Sequence, residues 1–390
     1  MYFQTIERNK NCFGFYADGS IKIDLPPSHP SKTWDYTHLC DDSTELAKIY
    51  CGGKTLLEVC PEELKDEAVQ SFDKLKAFMR SMVHAKIDFD VNCFYDLLPE
   101  KFLLEHFEIR NKITKYVLEN YEKPKNYETL RDASELIYNI EQHKLNIDLE
   151  SVKKKLPNPK AQRFIKNKYP NRIKYNVFGA VTGRLTLGKD SFPILNLDKE
   201  LRDCIKPNNH RFVELDYNSA ELRVLLAMCN KEQPTIDLHE WNSINIFGGK
   251  LDRLKAKQKI FSWLYDKKTN DLAEKVYDKQ IIIDKFYDGN KVKTVYNREI
   301  ECDQEHAVNY VIQSTATDLV VEQAHKIQKI LQDKKSFIAF YLYDSVVLDF
   351  HKEDMHLLKQ IANTFSNTRF GNFLTNVSVG KNFGEMEKIK

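Results

Sequence analysis

Three short stretches of this chain carry residues whose types and spacing could do chemistry on a phosphate. In Phe212-Val213-Glu214-Leu215-Asp216-Tyr217 the apolar residues alternate as in a strand, and Asp216 stands near its C-terminal end, where a carboxylate can project into a site. In Ile338–Phe350 two apolar runs flank Tyr343-Asp344-Ser345, the pattern of a hairpin whose turn carries an aspartate. A turn aspartate is commonplace, and alone it is structural more often than not. Two carboxylates from separate strand ends, set side by side, would bind a pair of divalent ions about 3.5–4 Å apart, able to activate an attacking hydroxyl and neutralise a leaving phosphate.

The third stretch is helical. Arg253, Lys257, Phe261 and Tyr265 recur at intervals of four, so they drift only about 40° per step and share one face. Two cations followed by two aromatics suit a nucleotide, the basic end holding a triphosphate and the aromatic end stacking on a base. An amphipathic surface helix with Phe261 and Tyr265 in the core would read the same way.

The elements that must position these residues are also legible. Asn218 or Ser219 can cap a helix that follows the Asp216 strand. Upstream, Cys12–Tyr16 and Ile21–Leu25 flank Asp18-Gly19-Ser20, a hairpin signal. From Pro61 to about Tyr121, Leu64, Val69, Phe72, Leu75, Phe78 and Met79 recur at helical spacing, which resumes over Leu130–Gln142. Asp88 and Asp90 are the nearest thing to a metal-binding pair in the first 135 residues, and a solvated edge or turn explains them as well.

The chain has 390 residues, with 59 basic and 57 acidic side chains and a net charge of +2. That length predicts two to three domains. The near-zero charge excludes a globally basic nucleic-acid binder, so any DNA or RNA partner must be held by local basic stretches. One candidate is Lys153–Lys174, with nine Lys/Arg, no acidic residue, and Phe164 and Tyr169 interleaved. Such a run is either a solvated face or a track for a phosphate backbone. The eight cysteines (Cys12, Cys40, Cys51, Cys60, Cys93, Cys204, Cys229, Cys302) contain no CxxC pair, which predicts free thiols in a reducing compartment and argues against a zinc ribbon. The N-terminus lacks a signal-peptide layout and no apolar run reaches a membrane span. The expectation is a soluble, cytoplasmic protein with no membrane partner.

Taken together, these stretches resemble the family A DNA polymerases (the DNA polymerase I family), particularly its phage-like members. Asp216-Tyr217-Asn218-Ser219-Ala220-Glu221-Leu222-Arg223 looks like that family's motif A, the four-spaced Arg253, Lys257, Phe261 and Tyr265 like motif B, and Tyr343-Asp344-Ser345 like motif C. Between them fall Thr182-Gly183-Arg184-Leu185, similar to the family's TGR element, with Asn196 in the following loop. Asp237-Leu238-His239 and Phe247-Gly248 resemble the start of the fingers, and Asn309, Gln313 and Ser314-Thr315 a palm helix. Val377–Phe383 looks like the last palm strand. The likeness covers about residues 136–390.

The resemblance implies an α+β right-hand fold: a palm of antiparallel sheet with helices, helical fingers, a reduced thumb, and a small α/β N-terminal region. The expected boundaries are 1–135 for the N-terminal region (a vestigial exonuclease, a substitute thumb or a partner-docking module), 136–236 for the first palm part with a reduced thumb at 153–174, 237–300 for the fingers and 301–390 for the second palm part. The activity that the resemblance implies is template-dependent, DNA-directed DNA synthesis from dNTPs, in phage replication in a host bacterial cytoplasm. Asp216, Asp344 and the Tyr217 carbonyl would ligate two Mg²⁺, for which Mn²⁺ could substitute. Arg253, Lys257 and His239 would hold the triphosphate as charged donors, Phe261 would pack on the nucleotide, Tyr265 would lie beside the templating base, and Glu221 would exclude a 2′-hydroxyl. Arg184, Asn309 and Gln313 would read the minor groove at the primer end, with Tyr343, Ser345, Lys166 and Lys168 also near primer or template.

The sequence departs from the family in places. Ser345 stands where most members carry a second acidic residue, Tyr343 replaces a histidine, and Glu305 lies where an arginine is usual. Only about 30 residues separate Val152 from Thr182, where a long helical thumb is normal, so weak duplex grip is expected unless the N-terminal helices or a processivity or replisome partner compensate. The first 135 residues show no paired-carboxylate exonuclease motif, which predicts no 3′–5′ exonuclease. The alternatives are an RNA- or primer-synthesising polymerase of the same fold, against which Glu221 weighs, and a non-catalytic DNA-binding accessory protein.

Overall fold

In the computed structural model, residues 1–6, 14–23, 25–89, 92, 94–265 and 270–389 are described, and the chain divides into two units, Met1–Tyr138 and Asn139–Lys390. The first unit begins with the expected hairpin, strands β2 (Gly14–Ala17) and β3 (Ser20–Ile23), while Cys12 and Phe13 lie outside the described residues. Asp18 and Gly19 both take positive φ (51° and 76°), the backbone that matches a two-residue turn to the twist of its strands. A strand that the sequence reading missed, β1 (Phe3–Thr5), pairs antiparallel with β2.

The helical stretch from Pro61 divides into α1 (Lys65–His84) and α2 (Glu100–Asn120), followed by α3 (Tyr127–Gln142). Tyr16, Met82, Phe102, Leu103 and Phe107 form a core shared by the sheet and both helices. Val69 was expected on the apolar face and is instead 42% exposed, because α1 turns Ala68, Ser71 and Met82 inward. Asp88 lies in a turn, its carbonyl accepting from Asn92, and Asp90 lies outside the described residues.

The second unit is built on a five-stranded antiparallel sheet. Its strands are β4 (Arg211–Tyr217), β5 (Phe337–Leu342), β6 (Ser345–Phe350), β7 (Thr375–Gly380) and β8 (Met386–Ile389), in the order β5-β6-β4-β7-β8. Every residue of β6 is buried, which explains why Val346-Val347-Leu348 are consecutive apolar residues rather than alternating with polar ones. The Val377–Phe383 segment is not the last strand, since β8 follows and pairs on its outer edge. Helix α5 (Ala220–Met228) buries Leu222, Val224, Leu225 and Leu226, and packs against the 27-residue helix α6 (Gln304–Ile330). A helix apolar on all sides is one that core surrounds.

The basic stretch 153–174 forms a nine-residue helix, Pro159–Asn167, begun by Pro159 and capped by the Asn158 side chain on the Lys160 N–H. Much of its charge is spent locally: Lys153 pairs with Glu150, Lys155 with Asp203, Lys160 with Asp198, and Lys174 with Glu141. Phe164 and Tyr169 pack with each other and with Phe192. Helical spacing turns Ala161 and Phe164 inward, so Phe164 completes a small core, while Tyr169 beyond the helix is half-buried. Lys166 and Lys168 remain exposed.

Candidate active site

Strand register brings the two candidate aspartates together. Asp216 pairs with Ser345 on β6 and with Asn376 on β7. Asp344 occupies the two-residue turn between β5 and β6, in which Tyr343 takes a positive φ of 52°. The Tyr217 N–H donates to the Asp344 carbonyl at 3.4 Å, tying the two strand ends directly. Asn376 Nδ2 donates to Asp216 Oδ2 at 3.2 Å.

The electrostatics follow from this crowding. Burial, then repulsion from Asp344, pushes the Asp216 carboxyl up to about 7. The carboxyl of Asp344, which opens to solvent at the turn, is also raised by desolvation, with Arg184 and Lys257 opposing. Both donors are hard oxygens, and their shared burden of negative charge is what a divalent cation relieves, so the residues present fit Mg²⁺ or Mn²⁺. Among the described residues no group of three or more His, Cys, Asp or Glu side chains is placed to hold a metal.

A cleft of about 210 Å³ lies beside Asp344. Five separated segments line it: Arg184; Ser219 to Leu222; Phe261; Gln313, Ala316 and Thr317; and Tyr343 with Asp344. Asp216 is not in the lining; its strand end is tied to Asp344, which is, by the Tyr217 N–H. Glu221, in the first turn of α5, receives Arg184 Nη2 at 2.5 Å on one carboxylate oxygen and the Tyr265 hydroxyl on the other. Burial raises its carboxyl and Arg184 opposes the rise.

The four-spaced residues lie on the helix Arg253–Tyr265. Its core face is Ala256, Ile260, Trp263 and Leu264. Arg253, Lys257, Phe261 and Tyr265 stay outside that core. The Phe261 and Tyr265 rings stack at 5.7 Å and 6°, and Lys257 Nζ lies 5.6 Å from the Phe261 centroid. Arg253 is held by Asp237 through two hydrogen bonds, 3.0 and 2.7 Å. Asp237 also caps helix Leu238–Asn245, accepting from the His239 and Glu240 N–H groups.

Other expected site residues are placed differently. His239 was expected as a charged donor, but it is 3% exposed, and burial pushes its imidazole down to about 4, so at neutral pH it is uncharged. Its Nε2 meets Ser219 Oγ at 3.0 Å. Neither Asn218 nor Ser219 caps α5: Ser219 has a left-handed backbone and makes no cap bond, while Asn218 reaches across to Asp237 and the Leu238 N–H. Asn309 is half-buried, and its Oδ1 has no hydrogen-bond partner among the described residues. Tyr343 is 46% exposed, its ring 6.0 Å from the Arg184 guanidinium carbon. Lys166 and Lys168 do not line the cleft.

Several contributing residues were not singled out in the sequence. Asn376 was one. Glu214, two residues before Asp216, accepts from Ser345 Oγ at 3.2 Å, and burial raises its carboxyl. Arg298 pairs with buried Asp318 at 3.1 and 2.7 Å and fills the space beneath Gly183. Arg223, named in the sequence only as the end of the motif A stretch and given no role there, is wholly buried and donates to the carbonyls of Asn218, Pro234 and Ile236. The only sequence signal for Glu214 was its period-two relation to Asp216; the others depend on contacts between distant segments.

Comparison with known proteins gives the following. No protein-family model matches the chain. The DNA polymerase I of Chloroflexus aurantiacus is 22% identical over 272 residues, covering 55% of this chain, which spans 29% of that relative. Among solved structures, the polymerase domain of Pol1 from M. smegmatis, in complex with DNA primer-template and dNTP, matches with a TM-score of 0.62 at 11% identity, over 91% of this chain and 86% of that one. The fold is that of a polymerase domain, and the likeness to the DNA polymerase I family read from the motifs is met in both sequence and structure.

Proposed function

We propose that this chain, with its polymerase-domain fold, is a template-directed DNA polymerase that adds dNTPs to a primer 3′ end by two-metal-ion nucleotidyl transfer. The observation that carries the reading is the cleft itself, where Arg184, Glu221, Phe261, Gln313 and Asp344 meet from five separate segments. Asp216, Asp344 and the Tyr217 carbonyl would hold two Mg²⁺ or Mn²⁺ ions, which when bound lower the pKa of the primer hydroxyl and neutralise the triphosphate.

The chain's own groups do the rest by positioning. Lys257 and Arg253 present cations on one helix face to the triphosphate, Arg253 using the N–H groups that Asp237 leaves free. Phe261, stacked on Tyr265, offers a flat apolar wall to the incoming nucleotide. Glu221, pinned by Arg184 and Tyr265, cannot swing aside for a 2′-hydroxyl, which favours deoxynucleotides over the RNA-synthesising alternative. Gln313, Asn309 and Arg184 suit minor-groove contacts at the primer end, which tolerate any correct pair. The resemblance to phage-like members suggests phage DNA replication in a host cytoplasm, with the first unit as a docking point for a replisome partner.

Primer extension with Mg²⁺, comparing dNTPs with rNTPs, tests the proposal. The wild type should extend with dNTPs, and Asp216→Ala should not. Extension by rNTPs alone would favour the RNA-synthesising enzyme.

A further inference from the structure

Glu214 is a half-buried carboxylate that the proposed mechanism does not use. It lies two residues before Asp216 on β4, so both side chains leave the same face of the sheet. Its partner is Ser345 Oγ at 3.2 Å, and Ser345 itself is 3% exposed, sits directly across from Asp216, and follows Asp344 in the chain. Glu214 therefore touches a residue that adjoins both candidate metal-binding aspartates. Among the described residues it makes no ion pair of its own. Arg202 gives it partial charge compensation and Asp344 opposes it, and a half-buried acid costs free energy to the extent that positive charge does not offset it.

We propose that Glu214 is a third carboxylate of the metal site, a positioning residue that steadies a bound divalent cation from its outer coordination sphere through Ser345. It is not assigned as a direct ligand, since among the described residues no three His, Cys, Asp or Glu side chains are grouped to hold an ion. The inference rests on the two-metal reading above and supplies what that reading lacks: negative charge at the position where Ser345 has none. The carboxylate comes from the neighbouring strand rather than from the residue after Asp344. Outer-sphere partners of this kind orient the ligating groups and tune affinity for the ion.

The test uses the full chain and Mn²⁺ alone, with no DNA or nucleotide. Mn²⁺ binding is measured by electron paramagnetic resonance on the wild type, Glu214→Gln and Asp216→Ala, and thermal melting is recorded for each with and without Mn²⁺. Glu214→Gln keeps the shape and the acceptor for Ser345. It should weaken Mn²⁺ binding by about 10-fold or more, shrink the Mn²⁺-induced rise in melting temperature, and leave the metal-free melting temperature at or above that of the wild type. Wild-type Mn²⁺ affinity in Glu214→Gln, with loss of binding in Asp216→Ala, would overturn the inference and leave the two-metal reading standing. A lowered metal-free melting temperature with unchanged affinity would also overturn it, giving Glu214 a purely structural role. If the wild type binds no Mn²⁺, or Asp216→Ala binds it equally, the two-metal reading itself fails.

Discussion

Tyr265, the last residue of the helix Arg253–Tyr265, donates its hydroxyl to the carboxylate of Glu221 in the first turn of α5. The contact joins the helix that carries Lys257 and Phe261 to the strand-turn-helix that carries Asp216. With Arg184 on the other carboxylate oxygen, Glu221 is held from two sides, and its position is set by three segments rather than by its own rotamer.

Sugar discrimination is the first consequence. Glu221→Ala should raise rNTP incorporation relative to dNTP by roughly 10- to 100-fold, the scale on which a pocket senses one hydroxyl. Tyr265→Phe, which removes one of two restraints, should give a smaller rise. Competitive single-nucleotide insertion checks both.

A second concerns the loop that carries Arg184. Gly183 has φ +77°, and a Cβ there would stand 2.4 Å from Arg298 Nη2. Arg298 cannot yield freely because Asp318, 2% exposed in its side chain, holds it. Gly183→Ala should cost about 1–3 kcal/mol from the left-handed backbone and the displaced ion pair, seen as a lower melting temperature. Arg298→Met should cost about 3–5 kcal/mol by leaving Asp318 buried and unpaired.

A third is pH dependence. Asp216 is raised from its ordinary value to about 7 in the fold, so the folded state holds a proton that the unfolded chain has released. In metal-free protein this group's contribution to stability therefore falls as pH climbs from about 4 through about 7. A bound divalent ion requires the ionised form. The melting-temperature rise on adding Mg²⁺ or Mn²⁺ should accordingly be larger at pH 8 than at pH 6, and binding below pH 7 should release a proton. Melting curves at both pH values, with and without metal, decide it.

A fourth separates the lysines of the basic stretch. Lys155→Ala, which breaks a 2.6 Å pair with Asp203, should affect stability and leave DNA affinity unchanged. Lys166→Ala with Lys168→Ala should weaken DNA binding and flatten its salt dependence by about 1–2 in log–log slope. Titrations at several salt concentrations give the slope.

The motifs were legible because each is local: a strand pattern ending at Asp216, a hairpin about Asp344, a four-residue period over Arg253–Tyr265. The Asp344 hairpin was legible for the same reason, although Ser345 belongs to β6 and the turn is Tyr343-Asp344 alone. What was not legible depends on register and on distant partners. Nothing near Glu214 in sequence announces Ser345 as its neighbour, and nothing near Gly183 announces Arg298. The basic run stayed ambiguous because its acidic partners, Asp198, Asp203, Glu141 and Glu150, all lie outside it. His239 misled because a residue type conveys a titratable ring but not the burial that keeps it neutral. β8 was missed because Met386–Ile389 is short and mostly exposed.

The most direct measurement is single-turnover extension of a primed DNA template by dNTPs with Mg²⁺, wild type against Asp216→Ala, with the fold of both checked by circular dichroism. Losing a metal-holding carboxylate removes several kcal/mol of transition-state stabilisation, so the variant should be slower by roughly a thousandfold or more while remaining folded. A folded Asp216→Ala that extends primers at the wild-type rate would contradict the account.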